Sequence, residues 1–544
     1  MKPNCYHVIW VLVFLCFDVS ARADDTALQG HWKLAGDARD GSGRNNHAQN
    51  TGVDLATGGF DGRTSHLVVA HDATLDPGRG DFSIALRVHT DADLDDVLGD
   101  LVGKYAPALR KGFTLSLVNN AGVTSSQSNY RHLQFGIDDG RIDAQWTDHG
   151  RLGRAILVYS LAVFDNNLYA GTCVAGEDEA GRVYRFDGGG KWIDCGSPDR
   201  CNSASSLAVY RGELYVGTGK YRLRGSALSE SENPNRGGNV YRYAGGTKWI
   251  HCGTLPEVSA INSLVVYRGK LYASSMYRPG GLFRYEGDKT WVACGTPDGK
   301  RVEALTVYNG HLYATGYDEG AAYRYDGASW ESLGRVGEDA RQTYGFAVHG
   351  GELYISEWPN ARVYKYGGDK NWIAAGRLGD EMETMPLVLY NGKLYAGTLP
   401  SAEIYRYDGD TRWTKIGRVD FTPDVQYRRA WSMAVFQGRL FVGTLPSGHV
   451  HSVQAGACAT YDRALAPGWR HITAVKERNR LVLYVDGARV ATSASFDAQA
   501  FDLSTREPLR IGFGPHDYFN GRIQDVRFYR RALSTSEIKT LARP

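Results

Sequence analysis

The chain has 544 residues, with Lys+Arg 62 against Asp+Glu 60 and a formal net charge of +2 at pH 7. That length predicts two or more domains, and a hydrophobic content of 42% is enough to build their cores. The balanced charge gives no ground for nucleic acid or an anionic membrane surface as the main partner. Gly 66 and Tyr 33 against Met 5 favour strands and tight turns over helices.

Residues 1–23 read as an export signal. Lys2 and His7 lie in a short polar start. Residues 8–17 (VIWVLVFLCF) form an apolar run far too short to span a bilayer, and Ala21-Arg22-Ala23 fits a small-x-small cleavage site before Asp24. Cys16 follows Leu15, whereas lipoprotein acylation wants a small residue there. No later stretch reads as a membrane helix, so the expected location is extracellular or periplasmic. Cys173, Cys195, Cys201, Cys252, Cys294 and Cys458 remain after cleavage. Export permits disulfides among them, and buried free thiols are the equal alternative. No C-x-x-C pair occurs, which argues against a zinc ribbon.

From 24 to 143 the chain carries HWKLAGDARDGSGRNNHA from His31, FDGRTSHLVV from Phe60 and GDFSIALRVHT from Gly80. The last alternates with period two, as a half-buried strand does. A repeat follows: SLAVFDNNLYAGT from Ser160, SLAVYRGELYVGT from Ser206, SLVVYRGKLYASS from Ser263 and ALTVYNGHLYATG from Ala304. It continues as GFAVHGGELYISE from Gly345, PLVLYNGKLYAGT from Pro386 and SMAVFQGRLFVGT from Ser432. The second aromatic falls at Tyr169, Tyr215, Tyr272, Tyr313, Tyr354, Tyr395 and Phe441, most often 41 residues apart. A period of about 40 is that of propeller blades. Each unit reads as four strands. Two flank a tight turn, a third is typified by VYRYAG at Val240, and the fourth opens on tryptophan and ends at glycine four residues on, as in Trp192–Gly196 and Trp413–Gly417.

Seven copies of the second strand are followed by only six tryptophan strands. The missing one, Trp146–Gly150 in AQWTDHGRLG, precedes the first copy. A seven-bladed ring whose last blade takes residues 144–150 as its closing strand is therefore predicted, a device that ties the toroid shut. The repeat spans 144–455. The blades resemble the Kelch-like family, with Gly-Thr where that family has Gly-Gly.

After the repeat come WRHITAVKERNRLVLYVDGARVA from Trp469, with Asp486-Gly487 as a hairpin turn, and LRIGFGPHDYFNGRIQDVRFYRRALSTSEI from Leu509. Together with the segments before 143, they resemble the laminin-G-like, concanavalin A-like lectin/glucanase jelly roll. The family's strand order is split by about 300 residues, so the expected fold is all-β: a seven-bladed β-propeller (144–455) inserted into a jelly-roll β-sandwich (24–143 and 456–544). The strand leaving the jelly roll near Asp143 would run straight into the closing strand of the ring, coupling the two parts.

Three kinds of site are weighed. Related jelly-roll glycanases carry a Glu-x-Asp-x-x-Glu motif, absent from both jelly-roll segments. Asp138-Asp139 before Gly140 reads as a surface turn. The resemblance implies a structural Ca²⁺ with Asp40 and Asp525 at the acidic positions, or plain turn capping by the same residues; no cofactor is required. On the ring, scaffold positions repeat, so a site must break the repeat. The column before each inner strand does so: Tyr159, Ser205, Asn262, Glu303, Tyr344, Met385 and Trp431. Arg341, Glu383, Arg428 and Arg429 add charge beside it. The segments after the second strand also diverge, with Tyr221, Arg222, Arg224, Tyr277, Arg278, Tyr317, Asp318, Glu357 and Trp358. The predicted ligand-binding set at one channel mouth is Tyr159, Asn262, Glu303, Arg341, Tyr344, Glu383, Arg429, Trp431, Tyr277, Arg278 and Trp358. Such a mixture of aromatic and polar groups suits a sugar, whereas variable loops at a channel mouth are the bland alternative. The Ser/Asn/Gly-rich stretch 220–238 reads as a solvated loop that overhangs the face.

These readings favour a non-catalytic exported protein that binds an extracellular glycan or polymer. The rivals are a propeller polysaccharide lyase or glycoside hydrolase with an accessory jelly roll, and an extracellular protein-protein interaction module. His251, His311, His349, His449 and His451 fall mostly in strands or turns of the repeat and define no catalytic triad.

Overall fold

The computed structural model describes residues 26–93, 96, 98–140 and 146–543. The export signal at 1–23 and the predicted handover near Asp143 lie outside the described residues.

Strands from the two ends of the chain pair with each other in two sheets. In one sheet Phe82–Thr90 lies between Asn520–Tyr529 and Gly468–Glu477, an N-terminal strand flanked by C-terminal ones. In the other, Leu509–Ile511 sits between His66–Val69 and Gly99–Ala106, and Ala457–Ala464 borders Ser126–Asp139. Alternation puts Ile84, Leu86, Ile472, Ala474 and Phe528 of the first sheet, and Phe113, Leu115 and Phe135 of the second, into a common core. Phe82 packs tilted against Phe113 at 4.9 Å and edge-on to Phe135 at 5.8 Å. Asp486 and Gly487 have φ of 50° and 76°, the two positive values a type I′ hairpin turn requires, and they join Arg480–Val485 to Ala488–Thr492.

Between these segments the chain builds a propeller arrangement of antiparallel sheets. Its inner hairpins turn at pairs such as Arg211-Gly212 (φ 50° and 75°), again the type I′ pattern. The repeated aromatics Tyr169, Tyr215, Tyr272, Tyr313, Tyr354, Tyr395 and Phe441 are all buried and fill the space between adjacent sheets. The outer-strand tryptophans tie each sheet to its predecessor. Trp249 Nε1 donates to the Cys195 carbonyl at 2.9 Å, Trp291 to Cys252, Trp330 to Cys294, Trp372 to Leu333 and Trp413 to Ala375. Trp146 donates to Ile416 and Trp192 to His149, which carries the chain of bonds round the ring.

The predicted number of separate blades is corrected. Five blades stand as separate four-stranded sheets, not seven. The first two repeats merge into one eight-stranded sheet through a single pairing, Cys173 with Ser203. The last sheet is completed by Trp146–Arg151, which pairs with His449–Val453. Of the two alternatives for the cysteines, the structure has the free thiols: the six cysteines among the described residues form no disulfide, and five of them are buried. Cys173 and Cys252 lie in blade strands, Cys195 and Cys294 directly after one, and Cys458 in a sandwich strand; burial pushes Cys201 up to about 12, so the thiolate chemistry of exchange is suppressed there. Among the described residues no helix is long and apolar enough to cross a membrane.

One feature of the tertiary structure has no counterpart in the sequence reading. The hairpin Lys111–Val123 and Ser126–Asp139 belongs to a sandwich sheet, yet its tip enters the central channel of the ring. Apart from Ser203–Tyr210, which Cys173 meets at one residue, the innermost strands pair on one side only, so the other edge presents unpaired peptide groups to the channel. Asn129 satisfies both groups of Val435: its Nδ2 donates to the carbonyl at 2.7 Å and its Oδ1 accepts from the N–H at 3.1 Å. Asn120 does the same for Leu389, at 3.2 and 3.4 Å. Gly122, at φ 71°, leaves no room for a side chain, since a Cβ would stand 3.2 Å from the Leu305 carbonyl and from the Cβ atoms of Phe346 and Thr306. Asp138, expected in a surface turn, is 1% exposed and forms a buried ion pair with Lys393 of the ring. It is a buried salt-bridged joint between the two halves of the molecule, in addition to the exposed pair Arg463–Asp165.

Candidate functional site

The predicted column of residues has a structural cause. In every inner hairpin the register slips at that point. Val158 pairs with Thr172 and Ser160 with Gly171, so Tyr159 is left out; Ala430 pairs with Thr444 and Ser432 with Gly443, so Trp431 is left out. The same slip leaves Ser205, Asn262, Glu303, Tyr344 and Met385 unpaired. A β-bulge frees its extra residue from the pleat and re-aims the side chain. Seven bulges at one level thus deliver seven side chains to one end of the channel.

Five of the seven bound a cavity of about 470 Å³ there; Tyr159 and Ser205 do not line it. Asn262, Glu303, Tyr344, Met385 and Trp431 line it from the bulge column; Tyr277 and Arg429 line it as predicted. Its base is the tip of the sandwich hairpin, Thr124 and Ser125, with Thr124 Oγ1 donating to the Trp431 carbonyl at 2.7 Å. Its overhang is the insert 220–238, which is a folded lid rather than a solvated loop. Leu223, Ser226 and Asn233 are buried, and Tyr221, Arg222, Arg224 and Glu230 face the cavity. Glu230 holds the lid's backbone by accepting from the N–H groups of Leu223 and Ser231 at 3.1 and 3.0 Å.

The charges of the wall are arranged in pairs. Arg301 donates through Nε and Nη2 to Asp318 Oδ1 at 3.0 and 2.6 Å and lies 4.1 Å from the Tyr317 ring centre. Burial works against the Asp318 carboxylate, but the hydrogen bonds from Arg301 hold it below the ordinary range. Buried Arg429 meets buried Glu383 at 3.3 Å, donates to Ser226 and lies 5.3 Å from the Trp431 ring centre. Burial raises Glu383, and the guanidinium opposes the rise. Burial pushes Glu303 up to about 8 despite Arg301, so it is a neutral carboxylic acid and a hydrogen-bond donor at pH 7. Arg222 stacks on Tyr277 at 4.3 Å, and its backbone N–H donates to the Tyr277 hydroxyl at 3.0 Å. No acidic partner for the Arg222 or Arg224 guanidinium is found among the described residues.

Five predicted residues, Tyr159, Arg278, Arg341, Trp358 and Glu383, stand outside this lining. Tyr159 is wholly buried behind it, edge-on to Tyr221 and Trp431, with its hydroxyl on Met276 Sδ at 3.4 Å. Arg341 lies over Trp358 at 5.9 Å, apart from the cavity. Arg278 is mostly exposed and reaches Asp318 at 3.5 Å. Glu383 acts from behind by anchoring Arg429. The sequence reading missed Thr124, Ser125, Glu230 and Arg301; no local signal points to the first two, because a distant part of the chain supplies them.

The residues weighed for calcium, Asp40 and Asp525, are engaged in hydrogen bonds as the turn-capping alternative expects. Both Asp40 oxygens are already acceptors, from the N–H groups of His31, Ser42 and Asn46 and from the Ser42 hydroxyl, at 2.8–3.0 Å. Asp525 Oδ1 lies 2.7 Å from His31 Nε2 and accepts from Arg527 at 3.1 Å. Donors converge on both oxygens of Asp40 and on one oxygen of Asp525, so these carboxylates organise a turn and a strand.

Fold and cavity together define an all-β chain with a propeller arrangement beside a concanavalin A-like domain. Residues 409–539 match the family described as the concanavalin A-like lectin/glucanases superfamily (Laminin_G_3). The match begins within the last strands of the ring and does not reach the N-terminal sandwich strands. No curated protein matches the chain. Among solved structures, a catalytically inactive virginiamycin B lyase from Staphylococcus aureus with quinupristin is 12% identical with a TM-score of 0.44, over 57% of this chain and 99% of that one. A streptogramin B lyase is 10% identical with a TM-score of 0.46, over 57% of this chain and 97% of that one. A GH74 xyloglucanase from Xanthomonas campestris is 15% identical with a TM-score of 0.40, over 61% of this chain and 59% of that one. Likenesses at this level carry nothing over to the chemistry of the cavity, and neither they nor the family match support Kelch-like repeats.

Proposed function

We propose that this is an exported, non-catalytic carbohydrate-binding protein that holds a sugar residue of an extracellular polymer in the cavity at the channel mouth. The observation that carries the reading is the lining itself. Tyr277, Tyr317, Tyr344 and Trp431 offer ring faces, while Asn262, Glu303 and Arg222 offer hydrogen-bonding groups, around a volume of about 470 Å³. Pyranose rings present just such apolar faces and a girdle of hydroxyls. The partial match to a lectin/glucanase superfamily agrees with it.

The architecture we propose has an export signal at 1–23 and a jelly roll formed from 24–143 and 456–544. A propeller at 144–455 is inserted between them, its eight-stranded sheet taking two of seven positions in the ring. Support for seven positions comes from the indole-to-carbonyl bonds and the bulges described above, each occurring once per repeat.

A glycoside hydrolase is the second reading, favoured by one observation: Glu303 faces the cavity with Glu383 behind it, burial raises both carboxyls, and paired carboxylates are the usual hydrolytic machinery. A lyase is less well supported, because no histidine lines the cavity and burial raises Tyr277 and Tyr344 well above their ordinary range, away from the role of base.

A glycan array, probed with the mature chain with and without chelator, tests the proposal. Chelator-independent retention of a glycan, about tenfold weaker for Arg222→Ala and without new reducing ends on incubation, is the expected result. Retention with release of reducing ends would establish the hydrolase. Retention of no glycan, with a protein recovered instead, would overturn the proposal in favour of an interaction module.

A further inference from the structure

The closing seam of the ring carries a cluster of donor atoms that the cavity does not use. Along His449–Val453 the side chains alternate, so His449 and His451 project from one face and Ser452 from the other. The closing strand Trp146–Arg151 runs antiparallel beside it, with His451 opposite Asp148 and His449 opposite Arg151. The register slips between these two pairs, and the slip brings one carboxylate against both imidazoles. His449 Nδ1 is 3.0 Å from each oxygen of Asp148, and His451 Nδ1 is 3.9 Å from Oδ1. The ligand atoms of the three residues all lie within 4.8 Å of one another. The two imidazoles are nearly parallel, with ring centres 6.0 Å apart.

The neighbouring cations leave this spot free. Arg151 is turned away to the carbonyls of Ala155 and Arg154, and Arg439 donates to Ser452 Oγ and Thr147 Oγ1. Asp148 is exposed and both histidines are half-buried, so an ion can arrive from solvent and keep a water molecule.

Two imidazole nitrogens and one carboxylate form the donor set of a borderline divalent transition metal, zinc above all, and are a poor match for calcium or magnesium, which take oxygen ligands. Around a tetrahedral zinc, with bonds of about 2.0–2.1 Å, ligand atoms stand roughly 3.3–3.5 Å apart. The cluster is close to that spacing already. We propose that Asp148, His449 and His451 bind one divalent transition-metal ion of the zinc class, with water as the fourth ligand. The ion would bond the closing strand to the strand it pairs with, and so staple the ring at the one sheet built from two distant parts of the chain. A surface ion pair without metal is the rival explanation of the same geometry.

The test uses the full mature chain after chelator treatment and dialysis. Calorimetric titration with zinc should show one equivalent bound, and the melting temperature should rise with zinc but not with calcium or magnesium. Asp148→Asn should weaken zinc binding at least about tenfold, and His449→Gln/His451→Gln should abolish both binding and the thermal shift. Copper(II) loaded into the wild type should give an electron paramagnetic resonance spectrum with nitrogen couplings from two imidazoles; this reading does not depend on any variant folding. Failure of the wild type to bind zinc at micromolar concentration would overturn the proposal. So would undiminished binding by the double variant, or a copper spectrum lacking imidazole coupling.

Discussion

Two polar segments enclose the candidate site, and they are held in place in opposite ways. The hairpin tip Thr124–Asn129 forms the floor, and the insert 220–238 forms the lid. Both are rich in Ser and Asn, and the insert reads from its sequence as a solvated loop. The lid is anchored by its own contacts: Leu223 is buried, Tyr221 packs on Tyr159, and Glu230 gathers the lid's backbone N–H groups. The floor is anchored by the partner it enters. Its Ser125, Ser126, Gln127, Ser128 and Asn129 are at most 1% exposed, and the Asn129 amide pairs with the free edge of a ring strand at Val435. The contrast teaches that polarity in a loop reports the chemistry of what surrounds it. Water and a channel lined by strand edges demand the same side chains.

If the floor fastens the ring to the sandwich, breaking its buried joint should have the largest effect. Lys393→Met strands Asp138 as an uncompensated buried charge and should cost about 3–5 kcal/mol in chemical denaturation. Adding Asp138→Leu should recover most of that loss, because the penalty lies in the unpaired charge. A cost below about 1 kcal/mol for the single variant would show that the ion pair couples nothing. Next in size is Asn129→Ala, which leaves the N–H and carbonyl of Val435 buried without partners and should cost about 1–3 kcal/mol. It should also weaken glycan binding, since the floor positions Thr124 and Ser125. Arg222→Ala in the lid, by contrast, should leave stability within about 0.5 kcal/mol, as expected for an exposed side chain.

A pH-dependent effect belongs to the wall between them. Glu303 is raised from an ordinary 4.5 to about 8 in the folded chain. Between those two values the folded state holds a proton that the unfolded state has released, so stability falls as pH rises through this window. The slope contributed is at most about 1.4 kcal/mol per pH unit. Glu303→Gln should flatten the stability profile between pH 5 and about 8 and leave it unchanged below 4. If the variant keeps the wild-type slope, Glu303 is ionised in the fold and cannot serve as the cavity's neutral donor.

Much of this organisation is legible in the residues alone. The turn glycines, the alternating apolar positions and the tryptophan strand displaced to 146 act locally or by simple repetition, so they predict strands, ring and closing strand. The bulge column is legible for a related reason: a position freed from pairing is also freed from the repeat, and Asn262, Glu303, Tyr344 and Trp431 stand out by variation. Other features depend on partners far away in the chain. The merging of two repeats rests on one pairing between Cys173 and Ser203. The floor of the cavity comes from Thr124 and Ser125, about 300 residues from the Trp431 carbonyl they meet. The burial of Asp138 follows from Lys393, and the meeting of Asp148 with His449 and His451 from ring closure. Local propensity and periodicity are properties of short segments, which is why sequence determined the elements and their repetition. Burial, ion pairing and ligand geometry arise between elements, and only the tertiary structure decided them.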